Sequence, residues 1–293
     1  MMIQRFLFRV AVAFFIPISV FASTQVKLAA LEASSGGKLG ISAINTGNHQ
    51  RIQYRAEEHF PMGCTSKVIG VSAILKKSMT ERELLKEKIT YQKEDLTTWS
   101  PVTKNHLVDG MTVSELGAAA ISLSDNTAMN LLAKKIGGPE GLNAFARSIG
   151  DEHFKLVHTW PEEAMASPHS LEYSTTPAAM EKSLQKLALG DVLAAPQREM
   201  LLTWLKNNVT GNARIRAGVP KGWLVGDKTG TGFYYGSTSD IAIIWPPNCG
   251  PIVVAIYYSN SKKEAPKRED IIASATRILM NAFEQDDHCI KEG

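Results

Sequence analysis

Residues 59–67 read HFPMGCTSK, and two of them could do covalent chemistry together. Cys64 is a nucleophile by residue type. Lys67 follows three residues later, at the start of TSKVIGVSAILKK, whose apolar spacing predicts a helix from about 65 to 77. A thiol at a helix N-terminus sits where the dipole favours negative charge, and a lysine one turn on can exchange a proton with it. Acyl transfer needs such an attacking atom, a base for its proton and donors for the developing oxyanion. Two further motifs offer suitable groups: SDN at 124–126, with Ser124 and Asn126, and KTG at 228–230, with Lys228, Thr229 and Gly230. Each has a plainer reading beside it. Lys67 could be a surface lysine, SDN a helix N-cap supplied by Asp125 or Ser124, and Lys228 an ordinary strand lysine beside a turn.

The elements that must position these groups follow from periodicity and turn chemistry. KLGISAINTGNHQRIQYRAEEHF alternates on both sides of NTGN, predicting a hairpin with strands near 38–45 and 50–56. TVSELGAAAISLS opens with Thr112 and Glu115 in capping-box positions, and TAMNLLAKKIGG ends in glycines suited to a C-cap. GPEGLNAFARSIG and TPAAMEKSLQKLALG start on Pro139 and on Thr176–Pro177, and PQREMLLTWLKNN is a further helix. GWLVGDKTGTG, STSDIAIIWP and PIVVAIYYS are β-rich, with PPNCGP as the turn between the last two. REDIIASATRILMNAFEQ closes the chain as an amphipathic helix. Two strands, many helices, three strands and a helix predict an α+β fold: an antiparallel sheet drawing strands from both chain ends, with a helical subdomain inserted. There is no internal repeat, low-complexity tract or long linker.

In this order and on these elements, the three motifs resemble the class A β-lactamases and, more distantly, the penicillin-binding proteins. FPMGCTSKVIGVSAILKKS, SDNTAMNLLAKKIGGPEGLNAF and VGDKTGTG…SDIAIIWP all look like class A segments, so the resemblance spans nearly the whole chain beyond its first residues. It implies a β-lactamase/transpeptidase-like fold with a five-stranded antiparallel sheet and flanking helices at 23–60 and 210–293, and an all-helical subdomain at 61–209. It implies hydrolysis of a β-lactam through an acyl-enzyme on Cys64, with no cofactor. Ser124 would relay a proton to the lactam nitrogen, and Asn126 would bond the substrate's amide side chain. Lys228 and Thr229 would bind the substrate carboxylate, Gly230 would keep the strand edge open, and the backbone N–H groups of Cys64 and Thr231 would form the oxyanion hole. Trp99 matches an aromatic that flanks the family's cleft, or is an exposed packing tryptophan. Arg214 matches a second carboxylate-binding guanidinium, or belongs to a surface ion pair.

Two departures from the family pattern bear on mechanism. The family nucleophile is serine; sulfur is larger and softer, so attack could be displaced from the geometry the oxyanion donors expect, and Cys64 could also be inert. The second departure lies in VHTWPEEAMASPHSLEYSTTP, where the family has a loop carrying a glutamate that activates the deacylating water. Counting back without gaps from Pro177, Trp160 takes that glutamate's place and Ala164 the place of its asparagine partner. His158 and Tyr173 take the places of the arginine–aspartate pair that fastens the loop. A local shift could bring Glu162 into the base position; otherwise it is a solvated loop residue. Deacylation is therefore expected to be slower than acylation. A non-hydrolytic binding protein and a cell-wall peptidase remain the alternatives.

The chain begins MMIQRFLFRVAVAFFIPISVFAS, with Arg5 and Arg9 before a short apolar run broken by Pro17 and a small-residue site ending at Ala22. That pattern predicts a signal peptide over 1–22 rather than a membrane anchor, and hence a periplasmic protein with no membrane contact after cleavage. The net charge of +3 and the scattered lysines and arginines, not interleaved with aromatics, argue against nucleic acid as a partner. A small-molecule substrate and a monomer are expected. No metal-ligand spacing is present, so no metal is expected. In the family architecture the closing helix runs back along the final strand. A helix over about 268–285 extends roughly 25 Å, about the length of the strand at 251–258. Its end should return to the PPNCGP turn, so a Cys249–Cys289 disulfide is expected.

Overall fold

The computed structural model describes residues 18–292 of the 293-residue chain. Residues 1–17, which hold most of the expected signal peptide, lie outside the described residues. Helix α1 (Ile18–Ser35) leads into the hairpin of β1 (Lys38–Asn45) and β2 (Arg51–Tyr54), then a short strand β3 (Phe60–Pro61). Helix α2 (Lys67–Ser78) follows, and β4 (Lys88–Ile89) pairs with β5 (Met111–Thr112). Next come α3 (Val113–Ser122), α4 (Asn126–Lys134) and α5 (Gly138–Ser148). Strands β6 (Lys155–Leu156) and β7 (Tyr173–Thr175) bracket a loop, followed by α6 (Pro177–Ala188), α7 (Ala195–Lys206) and the single turn α8 (Ile215–Gly218). The chain ends with β8 (Leu224–Thr231), β9 (Thr238–Trp245), β10 (Ile252–Ser259), α9 (Glu269–Asp286) and α10 (His288–Glu292).

Five strands pair antiparallel in the order β2–β1–β10–β9–β8, so the sheet does draw on both ends of the chain. Successive side chains alternate between its faces. Leu39, Ile41, Ala242, Ile244, Val254 and Ile256 pack with Leu28 of α1 and with Ile272, Leu279 and Phe283 of α9. Ile44, Ile241, Ile243, Val253 and Ala255 join the other core, which runs through the helices. Covering both faces makes the strands near-continuous apolar runs. Helix α2 is enclosed by α3, α4, α5, α6 and α7 and buries Val68, Ile69, Val71, Ile74 and Leu75, as a helix apolar on every side must.

The expected caps are present. Thr112 accepts from the Glu115 N–H and Glu115 reaches back to the Thr112 N–H, while Thr176 accepts from the Ala179 N–H. Cys249 and Cys289 are bridged, with Cα atoms 5.8 Å apart. Helix α1 was not foreseen, because its first turn falls within the expected signal peptide and four of its ten apolar residues are small alanines. Helix α2 begins at Lys67 rather than Thr65. Ahead of it, Thr65 Oγ1 donates to Met62 O at 2.7 Å and Ser66 Oγ to Gly63 O at 2.8 Å, tightening Gly63–Ser66 into a 3-10 turn.

Candidate active site

Two glycines let the Cys64 turn lie against strand β8. Gly63 has φ +49°, and a Cβ there would sit 3.1 Å from the Thr231 nitrogen. A Cβ on Gly230 would come within 2.5 Å of Met62 O. This close approach sets Cys64 beside the backbone of Thr231, the pair of residues expected to supply oxyanion donors. The Cys64 thiol is half-buried, is not in a disulfide, and lies 4.0 Å from Asn126 Oδ1.

The SDN segment caps α4 and holds Lys67 at once. Asp125 caps α4 through the Ala128 N–H at 2.9 Å and also accepts from the Val102 and Thr103 N–H groups, each at 3.0 Å. Ser124 is held at φ +58°, a conformation that non-glycine residues adopt only when the surroundings impose it. Its carbonyl and hydroxyl both meet Lys67, which is fully buried. Lys67 Nζ donates to Ser124 O at 2.7 Å, Ser124 Oγ at 3.3 Å and Asn126 Oδ1 at 2.5 Å, which uses all three ammonium N–H bonds. Lys228 Nζ donates to the same hydroxyl at 2.9 Å and to Thr229 O at 2.8 Å. With both amines donating to it, Ser124 Oγ has its own hydrogen left for another acceptor.

Burial pulls the Lys228 pKa down to about 8; a charged Cys64 works against this shift and the Lys67 charge adds to it. The ammonium is therefore complete below that value and is lost above it. Capture of a carboxylate-bearing ligand should weaken as pH rises from 7 to 9, while an uncharged amide analogue should show no such decline. Equal pH profiles for the two ligands would remove Lys228 from carboxylate binding.

Hydroxyl hydrogens along β8 can be assigned by elimination. Thr210 Oγ1 donates to Asn208 Oδ1 at 2.8 Å, so in its 2.6 Å contact with Thr229 Oγ1 the hydrogen comes from Thr229. Thr229 must rotate to greet a ligand. Thr231 Oγ1 accepts from Arg214 Nη2 at 2.7 Å and keeps its hydrogen available. Arg214 is not on the surface: only 3% exposed, it also donates to Gly230 O and Ser239 O, both at 2.8 Å, tying β8 to β9. Its ion pair with Glu269, at 3.3 Å, lies at the cleft wall.

Trp160 faces this cluster from the loop between β6 and β7. The residue is 1% exposed, and its ring centroid lies 5.8 Å from Lys67 Nζ. Asn130 holds its backbone in both directions, donating to Trp160 O at 2.7 Å and accepting from the Trp160 N–H at 3.1 Å. Sequence reasoning missed Asn130; its signal was a second asparagine one helical turn after Asn126, on the same face of α4. Glu162 is exposed on a 3-10 turn at Glu162–Met165 and is not among the residues lining the cleft, so the structure does not bring it to Cys64 and Lys67. Ala164 does reach the cleft and accepts from the Phe233 N–H at 2.7 Å. Where the family loop is fastened by charge, the rings of His158 and Tyr173 meet with centroids 6.0 Å apart.

These walls enclose a cleft of about 550 Å³ lined by Cys64, Ser124, Asn126, Thr229, Thr231 and Arg214 among others. Trp99 stands at its rim, 62% exposed, with Nε1 donating to Leu123 O at 3.0 Å. Among the described residues no group of three or more His, Cys, Asp or Glu side chains could hold a metal ion.

The β-lactamase enzyme family matches residues 23–283 of this chain. The Toho-1 β-lactamase of Escherichia coli is 49% identical over 261 residues, covering 89% of each chain. The OXY-2 β-lactamase of Klebsiella oxytoca is 47% identical over 264 residues, covering 89% of this chain and 91% of its own. The crystal structure of a β-lactamase from Desulfarculus baarsii DSM 2075 superposes with a TM-score of 0.87 at 46% identity, covering 88% of this chain and 96% of that one. The chain belongs to the β-lactamase enzyme family.

Proposed function

We propose that this protein acts on β-lactams by forming a thioester on Cys64 and that hydrolysis of the thioester is slow. The observation that carries the reading is the hydrogen-bonded cluster in which Lys67 and Lys228 both donate to Ser124 beside the Cys64 turn. A Cys64 thiolate attacks the lactam carbonyl, the C–S bond forms and the C–N bond breaks. Ser124 passes its hydrogen to the departing nitrogen and is resupplied from Lys228 or Lys67. Thr231 and Lys228 hold the carboxylate, and the N–H groups of Cys64 and Thr231 face the oxyanion. Trp160, set against Lys67 where the family places a glutamate, supports slow deacylation. It equally supports the second reading, a β-lactam trap that has lost turnover.

The start of the sequence and the Cys249–Cys289 bridge support export to an oxidising compartment, which we read as the periplasm. Among the described residues no helix is long and apolar enough to cross a membrane.

Intact-mass analysis and peptide mapping after exposure to penicillin test the reading. The adduct should map to the Cys64 peptide and be absent from Cys64→Ala. An adduct on Ser66 or Ser124, or undiminished hydrolysis by Cys64→Ala, would overturn it. Glu162→Gln should leave the adduct's lifetime unchanged, since Glu162 stands outside the cleft; a longer lifetime would show that the loop moves it to the water.

A further inference from the structure

His59 and His153 are 94 residues apart in sequence, which hides them from any ligand-spacing rule, yet their ring centroids are only 5.5 Å apart. His59 directly precedes β3 and His153 stands two residues before β6. These are the outer strands of the small sheet β3–β7–β6, on which the loop carrying Trp160 is mounted. The hydrogens of the pair follow by elimination. Ser174 Oγ, on β7, donates its one hydrogen to Leu171 O at 3.0 Å, so in its 2.9 Å contact with His59 Nδ1 the hydrogen comes from the ring. A neutral His59 therefore has a bare Nε2, and that atom faces His153 Nδ1 at 3.4 Å. The gap exceeds the roughly 2.7–3.2 Å usual for an N–H hydrogen bond. It matches the roughly 3.3–3.4 Å between two imidazole nitrogens that are each about 2.0–2.1 Å from one tetrahedral zinc ion. Asp151, 3% exposed, holds the backbone on the His153 side. It accepts from the His153 N–H at 3.1 Å, the Phe154 N–H at 2.9 Å and Ser183 Oγ at 2.8 Å. It is not itself a ligand, but its negative charge acts on His59 and favours a cation beside it. Glu58, next to His59, is taken up by Lys38 and Arg55, while Glu152 and Lys155 on either side of His153 are exposed to solvent.

We propose that His59 Nε2 and His153 Nδ1 bind a divalent transition ion suited to imidazole, such as Zn²⁺, Ni²⁺ or Cu²⁺, with water completing its coordination. Ser174 is the outer partner that fixes the tautomer and orientation of the His59 ring, as a hydrogen-bond acceptor commonly does behind a metal-binding histidine. His153 is exposed and His59 only half-buried, so the ion enters from solvent. Once bound, it joins the segment entering β3 to the segment entering β6, across β7. No step of acyl transfer at Cys64 runs through it. Mg²⁺ and Ca²⁺, which take oxygen ligands, do not fit a pair of imidazoles.

The test is calorimetric titration with Zn²⁺ of the protein free of any polyhistidine tag, which would bind the probe itself. His153→Gln supplies the baseline, because His153 is exposed and the variant keeps Cys64 and the other six of the chain's seven histidines. The unaltered protein should bind one Zn²⁺ per chain beyond whatever His153→Gln binds. Ser174→Ala keeps both rings and should weaken that ion by about 10–100-fold, the usual cost of losing an outer partner. Mg²⁺ in place of Zn²⁺ should give no difference between the unaltered protein and His153→Gln. Thermal melts without metal confirm that each variant is folded. Equal uptake of Zn²⁺ by the unaltered protein and His153→Gln overturns the proposal. A difference that Mg²⁺ reproduces also overturns it, since charge alone would then account for the binding. Undiminished binding by a folded Ser174→Ala overturns the part assigned to Ser174. None of these results bears on whether Cys64 takes up penicillin.

Discussion

Replacing Trp160 with glutamate is expected to shorten the lifetime of a penicillin adduct on Cys64 by about 10²–10⁴-fold, the usual contribution of a positioned general base. The backbone at this position is fixed independently of the side chain, because Asn130 grips both the N–H and the carbonyl of Trp160. A glutamate would start from the same place, with Lys67 Nζ, now 5.8 Å from the indole ring, as its counter-charge. It is also smaller than an indole, so a water molecule could stand between carboxylate and thioester. Indole Nε1 is buried without a hydrogen-bond partner among the described residues, so its removal breaks no hydrogen bond there. Three variants separate the causes. Trp160→Phe fills the space without a base and should leave the lifetime unchanged. Trp160→Ala admits water without a base and should fall between Phe and Glu. Trp160→Glu alone should give sustained turnover. The decay of adduct mass after removal of excess penicillin measures all three, with a thermal melt to confirm folding. Equal lifetimes for Glu and Phe would mean that neither exclusion of water nor lack of a base limits the reaction.

Local chemistry made much of this fold legible from sequence. The capping box at Thr112 and Glu115, the Thr176–Pro177 start and the NTGN hairpin each depend on residues within a few positions of one another, and each appears where expected. The site was legible for the same reason: Cys64 and Lys67 share a turn and Ser124 and Asn126 flank a cap, while Lys228 and Thr229 are neighbours on one strand. What sequence could not convey depends on contacts between distant segments. Arg214 could be placed at the surface or in the cleft until its bonds to Gly230 and Ser239 were known. The hydrogen of Thr229 is committed to Thr210, whose own goes to Asn208, and no spacing rule encodes that relay. An ungapped count put Trp160 at the base position, but only the fold turns its ring to Lys67 and leaves Glu162 facing solvent.

Glu181 shows the same limit in the core and leads to the largest expected effect on stability. In TPAAMEKSLQ it reads as one polar residue on an amphipathic helix, yet its side chain is fully buried against the sheet. Its Oε2 accepts from Ser42 Oγ at 3.0 Å and pairs with Arg51, 130 residues earlier in the chain. Oε1 has no hydrogen-bond partner among the described residues. Burial pushes the carboxyl's pKa up, and the Arg51 charge opposes that shift. Arg51→Met removes the opposing charge and leaves a buried carboxylate alone, which is expected to cost about 3 kcal/mol. Adding Glu181→Leu should recover most of that loss, since an apolar pair of similar volume satisfies the core. The pH dependence has a definite sign. A carboxyl whose folded pKa lies above its unfolded value binds more protons when folded, so stability falls as pH rises above the unfolded value near 4.5. The Arg51→Met deficit should therefore be larger at pH 8 than at pH 5, and Arg51→Met/Glu181→Leu should lack this dependence. Urea denaturation at the two pH values reads both effects. If the double variant is as unstable as the single one, the Arg51 side chain matters for its own packing, and the ion pair is not what holds α6 to the sheet.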